Sequence, residues 1–236
     1  QAQFIEHAIR AILKLYEKLP HPPKKIVVIG HSIGGKLIQK LLTSEATAKL
    51  INSAITLATP MDKAVLNLDA HMNKFYESIE TYWVENRGIT KLMNNSCSGC
   101  QQRREIKSKK LLLDDKLLIT IGGGRKDLMV HSGLTDSKYS DLHVMSTEMS
   151  KVWAESDHLC IVWCLQLVLV VNRFLYSIIA PVKYKGNHSK GLSFIEDKAV
   201  RLAKAEQHFL GLEARRVGEH KRKMESPDVA EWYEDN

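Results

Sequence analysis

The sequence has no Met at its start, only four cysteines in 236 residues, no phosphate-binding loop and no zinc-ligand framework. Each absence narrows what the chain can do. Cys97 and Cys100 form a C-x-x-C in a polar, charged stretch, but a structural zinc site needs a second good ligand pair. That C-x-x-C is open to two readings, a local disulfide in an oxidising lumen or a pair of free thiols. Cys160 and Cys164 stand one turn apart on an apolar segment and suit core packing. Gly122-Gly123-Gly124 lacks the Gly-Lys-Ser/Thr ending of a nucleotide loop. No nucleic-acid motif accompanies the net charge of +7, much of which lies between Lys183 and Lys223. A solvated surface or a membrane-facing basic tail accounts for that charge, and no nucleic-acid partner is expected. Cys160 to Ala180 is apolar and long enough to raise a membrane span. It contains Gln166, Asn172 and Arg173, however, and charge at mid-bilayer is costly. A buried amphipathic helix is expected there instead. No signal peptide precedes the first helix and the first residue is Gln, so the chain reads as a fragment or a processed product. The sequons at Asn94 and Asn187 do not decide the compartment.

What is present begins with Lys24-Lys25-Ile26-Val27-Val28-Ile29-Gly30-His31-Ser32-Ile33-Gly34-Gly35. Four β-favouring apolar residues run into Gly-x-Ser-x-Gly, and a helical segment follows. Strand, sharp turn and helix with a serine at the apex is the context a nucleophile elbow requires. Gly30 and Gly34 are expected where side chains would collide with the neighbouring strand and helix. The serine hydroxyl then stands at a helix N-terminus, and the Ile33 amide can serve an oxyanion hole.

The remaining pattern alternates helix and strand. Apolar residues from Phe4 to Leu19 recur at helical spacing, and Pro20, Pro22 and Pro23 stop that helix before the strand at 25–29. Further strands are expected at 53–57 and 117–121, and helices at 33–43, 69–87 and 195–217. The face of Met72, Phe75, Tyr76, Ile79, Tyr82 and Trp83 reads either as core packing or as a lid or the wall of an acyl-chain groove. Residues 94–116 are polar and charge-dense and read as a surface insertion in a partial α/β domain spanning 1–181. Residues 182–236 read as a charged, partly helical tail that adds little to the core. The expected class is α/β, a parallel sheet with flanking helices.

A serine nucleophile needs a base, and the base needs an orienting acid. In α/β-hydrolases they follow in the order serine, acid, histidine. Asp127 follows the strand ending in three glycines, and His158 precedes the apolar helix. His31 reads as a packing residue at the strand end. Asp157 adjoins His158 and is a poor orienter, because neighbouring side chains diverge. Ser32 would attack an ester carbonyl, His158 would take its proton, and Asp127 would hold the imidazole.

With these residues placed, the chain resembles the GPI inositol-deacylase family, lipase-like enzymes of the endoplasmic reticulum. The resemblance rests on Ile29 to Gly35, Ile51 to Pro60, Phe75-Tyr76 with Tyr82-Trp83, and Ile121 to Asp127. It continues through Val130 to Thr135 and Lys151 to Trp153, and is most specific from Asp157 to Cys164. It implies the C-terminal part of an α/β-hydrolase fold, whose early strands and second oxyanion donor would precede Gln1. It implies hydrolysis of the acyl chain on the inositol of a GPI anchor, aiding export of anchored proteins. GPI lipid or GPI-anchored proteins would be the substrate, at the endoplasmic reticulum membrane, with attachment through regions outside this chain. No metal or organic cofactor is implied. A general lipase or thioesterase, and an inactive fragment that only binds lipid or a partner, are the alternatives. With an unpaired elbow strand, the chain alone is expected to be poorly soluble and to have little deacylase activity.

Overall fold

Two apolar periods, 3.6 and 2, alternate along the chain, and each folds as its spacing requires. The computed structural model describes residues 1–66, 69–87, 112–183 and 190–212. Both sequons, the C-x-x-C and most of the expected insertion at 94–116 lie outside the described residues. In chain order the elements are α1 (Ala2–Leu15), β1 (Ile26–His31), α2 (Ile33–Leu41), the single turn α3 (Glu45–Ala48), β2 (Ile51–Leu57) and α4 (Ala70–Asn86). There follow β3 (Leu117–Gly122), β4 (Leu142–Met145), α5 (Leu165–Ser177), β5 (Ile179–Lys183), β6 (Lys190–Phe194) and α6 (Lys198–Leu210).

The first four strands form a parallel sheet in the order β1-β2-β3-β4. Strands β2 and β3 are buried along their whole length, as near-continuous apolar runs require in a sheet covered on both faces. The pleat divides their side chains between two layers. Ala54 and Leu118 face a cluster with Ile9 of α1, Ile38 and Leu41 of α2, and Ile79 and Trp83 of α4. Ile55, Leu57, Ile119 and Ile121 face α5 and α6. Strand β1 is an edge of this sheet and only half-buried.

Three differences from the sequence reading have physical causes. The apolar stretch from Cys160 is not one helix. A 3-10 turn (Cys160–Val162) precedes α5, because Cys164 takes a non-helical backbone, ψ 110°, as the helix N-cap. The 13 residues of α5 span about 20 Å, short of a hydrocarbon core of about 30 Å. Among the described residues no helix is long and apolar enough to cross a membrane. Strand β4 is too short, at four residues, to announce itself by alternation.

The third difference corrects the tail. Its first described residues complete a hairpin, β5 with β6, and then form α6, which packs on α5. Ala205 and Phe209 are fully buried, with Phe209 stacked against Phe174 of α5 at 5.2 Å between ring centroids. The charged composition concealed this because α6 buries only one narrow stripe and leaves Lys and Glu on the other face.

Candidate active site

Strand β1 carries the chain directly into the elbow. Ser32 sits at φ +54°, a region that non-glycine residues avoid at a cost of about 1–3 kcal/mol. Hydrogen bonds on either side hold it there. Its amide donates to Leu57 O at 2.9 Å, extending the ladder with β2, and Gly35 N donates to Ser32 O at 3.1 Å, opening α2. A Cβ on Gly30 would lie 2.6 Å from Gly35 N, so that glycine is required. The collision expected at Gly34 is absent, since a Cβ there meets nothing within 4 Å. It falls instead at Gly35, whose Cβ would lie 2.1 Å from Thr59 Oγ1. Gly35 faces β2 and the loop after it, whereas Gly34 faces open space. Ile33 opens α2, and a helix's first amides have no acceptor within the helix.

Asp127 and His158 reach Ser32 from two loops that leave the sheet beside the elbow. Asp127 is buried, and its Oδ1 accepts from Met129 N (3.0 Å) and Val130 N (2.8 Å). Its Oδ2 lies 3.0 Å from His158 Nδ1, and His158 Nε2 lies 2.9 Å from Ser32 Oγ. A carboxylate only accepts, so Nδ1 bears the imidazole proton and Nε2 is left to accept from the serine hydroxyl. The structure thus brings Ser32, Asp127 and His158 into one relay.

The loop carrying His158 is fastened at three points. Ser156 N donates to Gly123 O at 2.7 Å, binding it to the Asp127 loop. The Asp157 carboxylate accepts from Cys160 N (2.7 Å) and Leu159 N (2.9 Å), which hold its pKa below the usual carboxylate range. His31 Nε2 donates to His158 O at 2.7 Å, and the two rings lie 4.7 Å apart. His31 is therefore a positioning residue for the base. His31→Leu is expected to slow acylation of Ser32 about tenfold, roughly 1.4 kcal/mol, the worth of one such bond. His31→Gln keeps a donor and should recover most of that rate, as timed fluorophosphonate labelling would show.

Ser32 and His158 line a cavity of about 430 Å³ together with Pro60, Val65, Leu66, Met72, Tyr76 and Met129. The aromatic face of α4 therefore divides. Ile79 and Trp83 enter the core, and Tyr76 forms cavity wall. The wall is held from behind by a buried lysine that the sequence reading did not single out. Lys36 Nζ donates to Met61 O at 2.6 Å and lies 4.2 Å from the centre of the Tyr76 ring, whose hydroxyl donates to Pro60 O at 2.8 Å. The available signal was its place on the sheet-facing stripe of α2, one turn after Ser32.

Burial pushes the Lys36 ammonium down to about 8, against the opposing pull of Asp62 and Glu80. An unfolded lysine keeps its proton to about 10.4, so between these limits the unfolded chain binds more protons and stability rises with pH. That contribution is full above the unfolded value and is lost as pH falls through about 8. Lys36→Met should remove it. The stability difference between the two proteins is expected to change by on the order of 3 kcal/mol across this window, read from urea unfolding.

A family model described as the PGAP1-like alpha/beta domain matches residues 1–178. The GPI inositol-deacylase of Drosophila melanogaster is 40% identical over 186 residues, 75% of this chain and 19% of the fly protein. The Xenopus laevis protein of that name is 32% identical over 216 residues, 89% of this chain and 20% of its own length. That of Schizosaccharomyces pombe is 31% identical over 196 residues, 75% of this chain and 16% of its own. This chain thus spans about a fifth of the curated relatives it matches. The match runs from α1 through the elbow, the Asp127 loop and the His158 loop to the end of α5, and the chain belongs to the PGAP1-like alpha/beta domain family.

Proposed function

We propose that this chain is the catalytic part of a serine carboxylic-ester hydrolase that removes the acyl chain from the inositol of GPI anchors. The observation that carries the reading is the Ser32–His158–Asp127 relay, at 2.9 and 3.0 Å, opening into an apolar cavity. The acyl chain would lie in that cavity with its ester carbonyl at Ser32 Oγ. As Oγ attacks, His158 Nε2 takes the hydroxyl proton, and Asp127 stabilises the resulting imidazolium. The Ile33 amide donates to the oxygen of the tetrahedral intermediate. His158 returns the proton to the departing inositol oxygen, leaving an acyl-serine. Water, deprotonated by His158, then releases the fatty acid and restores Ser32.

The substrate assignment draws on the relatives, which carry the name GPI inositol-deacylase in fly, frog and fission yeast. It extends to work on GPI-anchored proteins at the endoplasmic reticulum membrane. A chimera tests it. This chain would replace the matched segment of the fly protein in cells lacking inositol deacylation. The chimera is expected to restore loss of the inositol acyl group, measured by mass spectrometry of released GPI, and its Ser32→Ala form is expected not to. Hydrolysis of simple esters with inositol-acylated GPI left intact would replace this reading with that of a general lipase or thioesterase.

A further inference from the structure

The cavity at Ser32 has a neighbour. A second cavity, of about 520 Å³, lies between α1, α2 and α4, and Ile33 and Met72 belong to the lining of both. The helical period explains the sharing. On α2, Leu37 stands one turn after Ile33 and lines the second cavity alone. On α4, Met72 stands one turn before Phe75 and Tyr76, and these two part. Tyr76 lines the Ser32 cavity and Phe75 the second. Ile33 and Met72 are therefore the partition between the two spaces. Ile33 follows the nucleophile directly, so the partition begins beside the reacting atom.

The backbones on either side of the partition are fixed. Trp83 Nε1 of α4 donates to Gln39 O of α2 at 3.1 Å, and Lys36 of α2 rests 4.2 Å from the centre of the Tyr76 ring of α4. Asp69 caps the first turn of α4, accepting from His71 N at 2.8 Å. Passage between the cavities is thus a matter of side chains. Ile33 is β-branched and stiff in a helix. Met72 is unbranched and flexible, and it can swing aside. Ile33 is 40% exposed, and Met72, Leu37 and Phe75 are half-buried, so the route is walled by apolar surface that the core leaves accessible. Apart from Ala2, the rest of the second lining is polar, at Gln1, Gln3, Lys40, Asp69 and His71. The apolar wall therefore runs from the partition along α2 and α4.

We propose that the alkyl chain of the ester passes from Ser32 between Ile33 and Met72 into the second cavity, and that Met72 sets the length of chain the site accepts. The occupant is an alkyl chain because the second cavity adjoins the one that holds the ester carbonyl, and the wall leading into it is hydrocarbon. A short acyl group ends within the first cavity. A long one also covers Leu37 and Phe75. This inference rests on the ester-hydrolase reading above.

The test uses the 236-residue chain with butyl and hexadecyl fluorophosphonates below their micellar concentrations, and reads the ratio of their labelling rates at Ser32. Damage to the relay or the fold lowers both rates alike, so the ratio isolates the path of the chain. Each methylene that reaches apolar wall adds about fourfold to the rate. The wild-type ratio is therefore expected to favour the hexadecyl probe on the order of 100-fold. Met72→Trp fills the passage, and Leu37→Trp fills the second cavity from a position outside the first. Each should lower the ratio about 15-fold, the worth of about two methylenes. Met72→Ala should keep or raise it. A ratio indifferent to both tryptophan variants would overturn the path and leave the hydrolase reading in place. Hexadecanoate binding to the Ser32→Ala protein, by titration calorimetry, tests the path without the reaction. Adding Leu37→Trp should weaken it about 15-fold, and binding indifferent to that change would overturn the path. A wild-type chain that neither probe labels, with hexadecanoate binding still sensitive to Leu37→Trp, would refute the hydrolase reading and leave the path standing.

Discussion

Ser32→Ala is expected to reduce ester hydrolysis by a factor on the order of 10⁴–10⁶ and to abolish fluorophosphonate labelling. The hydroxyl is the only atom in the relay able to form the acyl intermediate. Its side-chain partner is His158, at 2.9 Å, so its removal costs the fold little and the unfolding midpoint should stay in place. His158→Ala should fall nearly as far, because a serine without a base is a weak nucleophile. The double substitution should be no worse than either single one, since the members of such a relay act as a unit. Near-wild-type turnover in either single variant would remove the relay from the mechanism.

Arg201→Ala is expected to cost the largest share of stability of any single change in α6, about 3–5 kcal/mol. The guanidinium is buried and ties α6 to the start of β2 and the approach to β3. Nη1 donates to Asn52 O (2.5 Å) and Ser53 Oγ (2.8 Å), and Nη2 donates to Asp115 O (2.5 Å) and Glu196 O (3.3 Å). Truncation leaves the buried Asn52 carbonyl and Ser53 hydroxyl without this donor, and it empties a large volume beside them. Urea unfolding of the variant measures the loss. A cost below about 1 kcal/mol would mean that α6 is an appendage and not part of the domain.

The two predictions differ in how they could have been found. Ser32 is legible in the sequence because the elbow is a local device. Apolar β-branched residues, a tight glycine turn and a helical run are written within twelve neighbouring residues, and their spacing dictates strand, turn and helix. The order of acid and histidine after the elbow, each beside the end of an element, is enough to point to Asp127 and His158. Nothing local in the sequence points to Arg201. Its partners lie 86 to 149 positions away, apart from Glu196, and an arginine in a charged helix reads as solvated until the helix is docked.

The same boundary runs through the site. The sequence by itself determined the alternating α/β order, the strained serine turn and the residue types of the relay, because turn chemistry and hydrophobic period are properties of near neighbours. Only the tertiary structure decided that Gly35 rather than Gly34 meets β2, because that depends on which way α2 rolls onto the sheet. It alone set His31 beneath the backbone of His158, 127 positions away, and Lys36 behind the cavity wall at Met61 and Tyr76. A buried donor is directed by whichever acceptor the packing leaves without a partner, and that acceptor is known only once distant segments have closed around it.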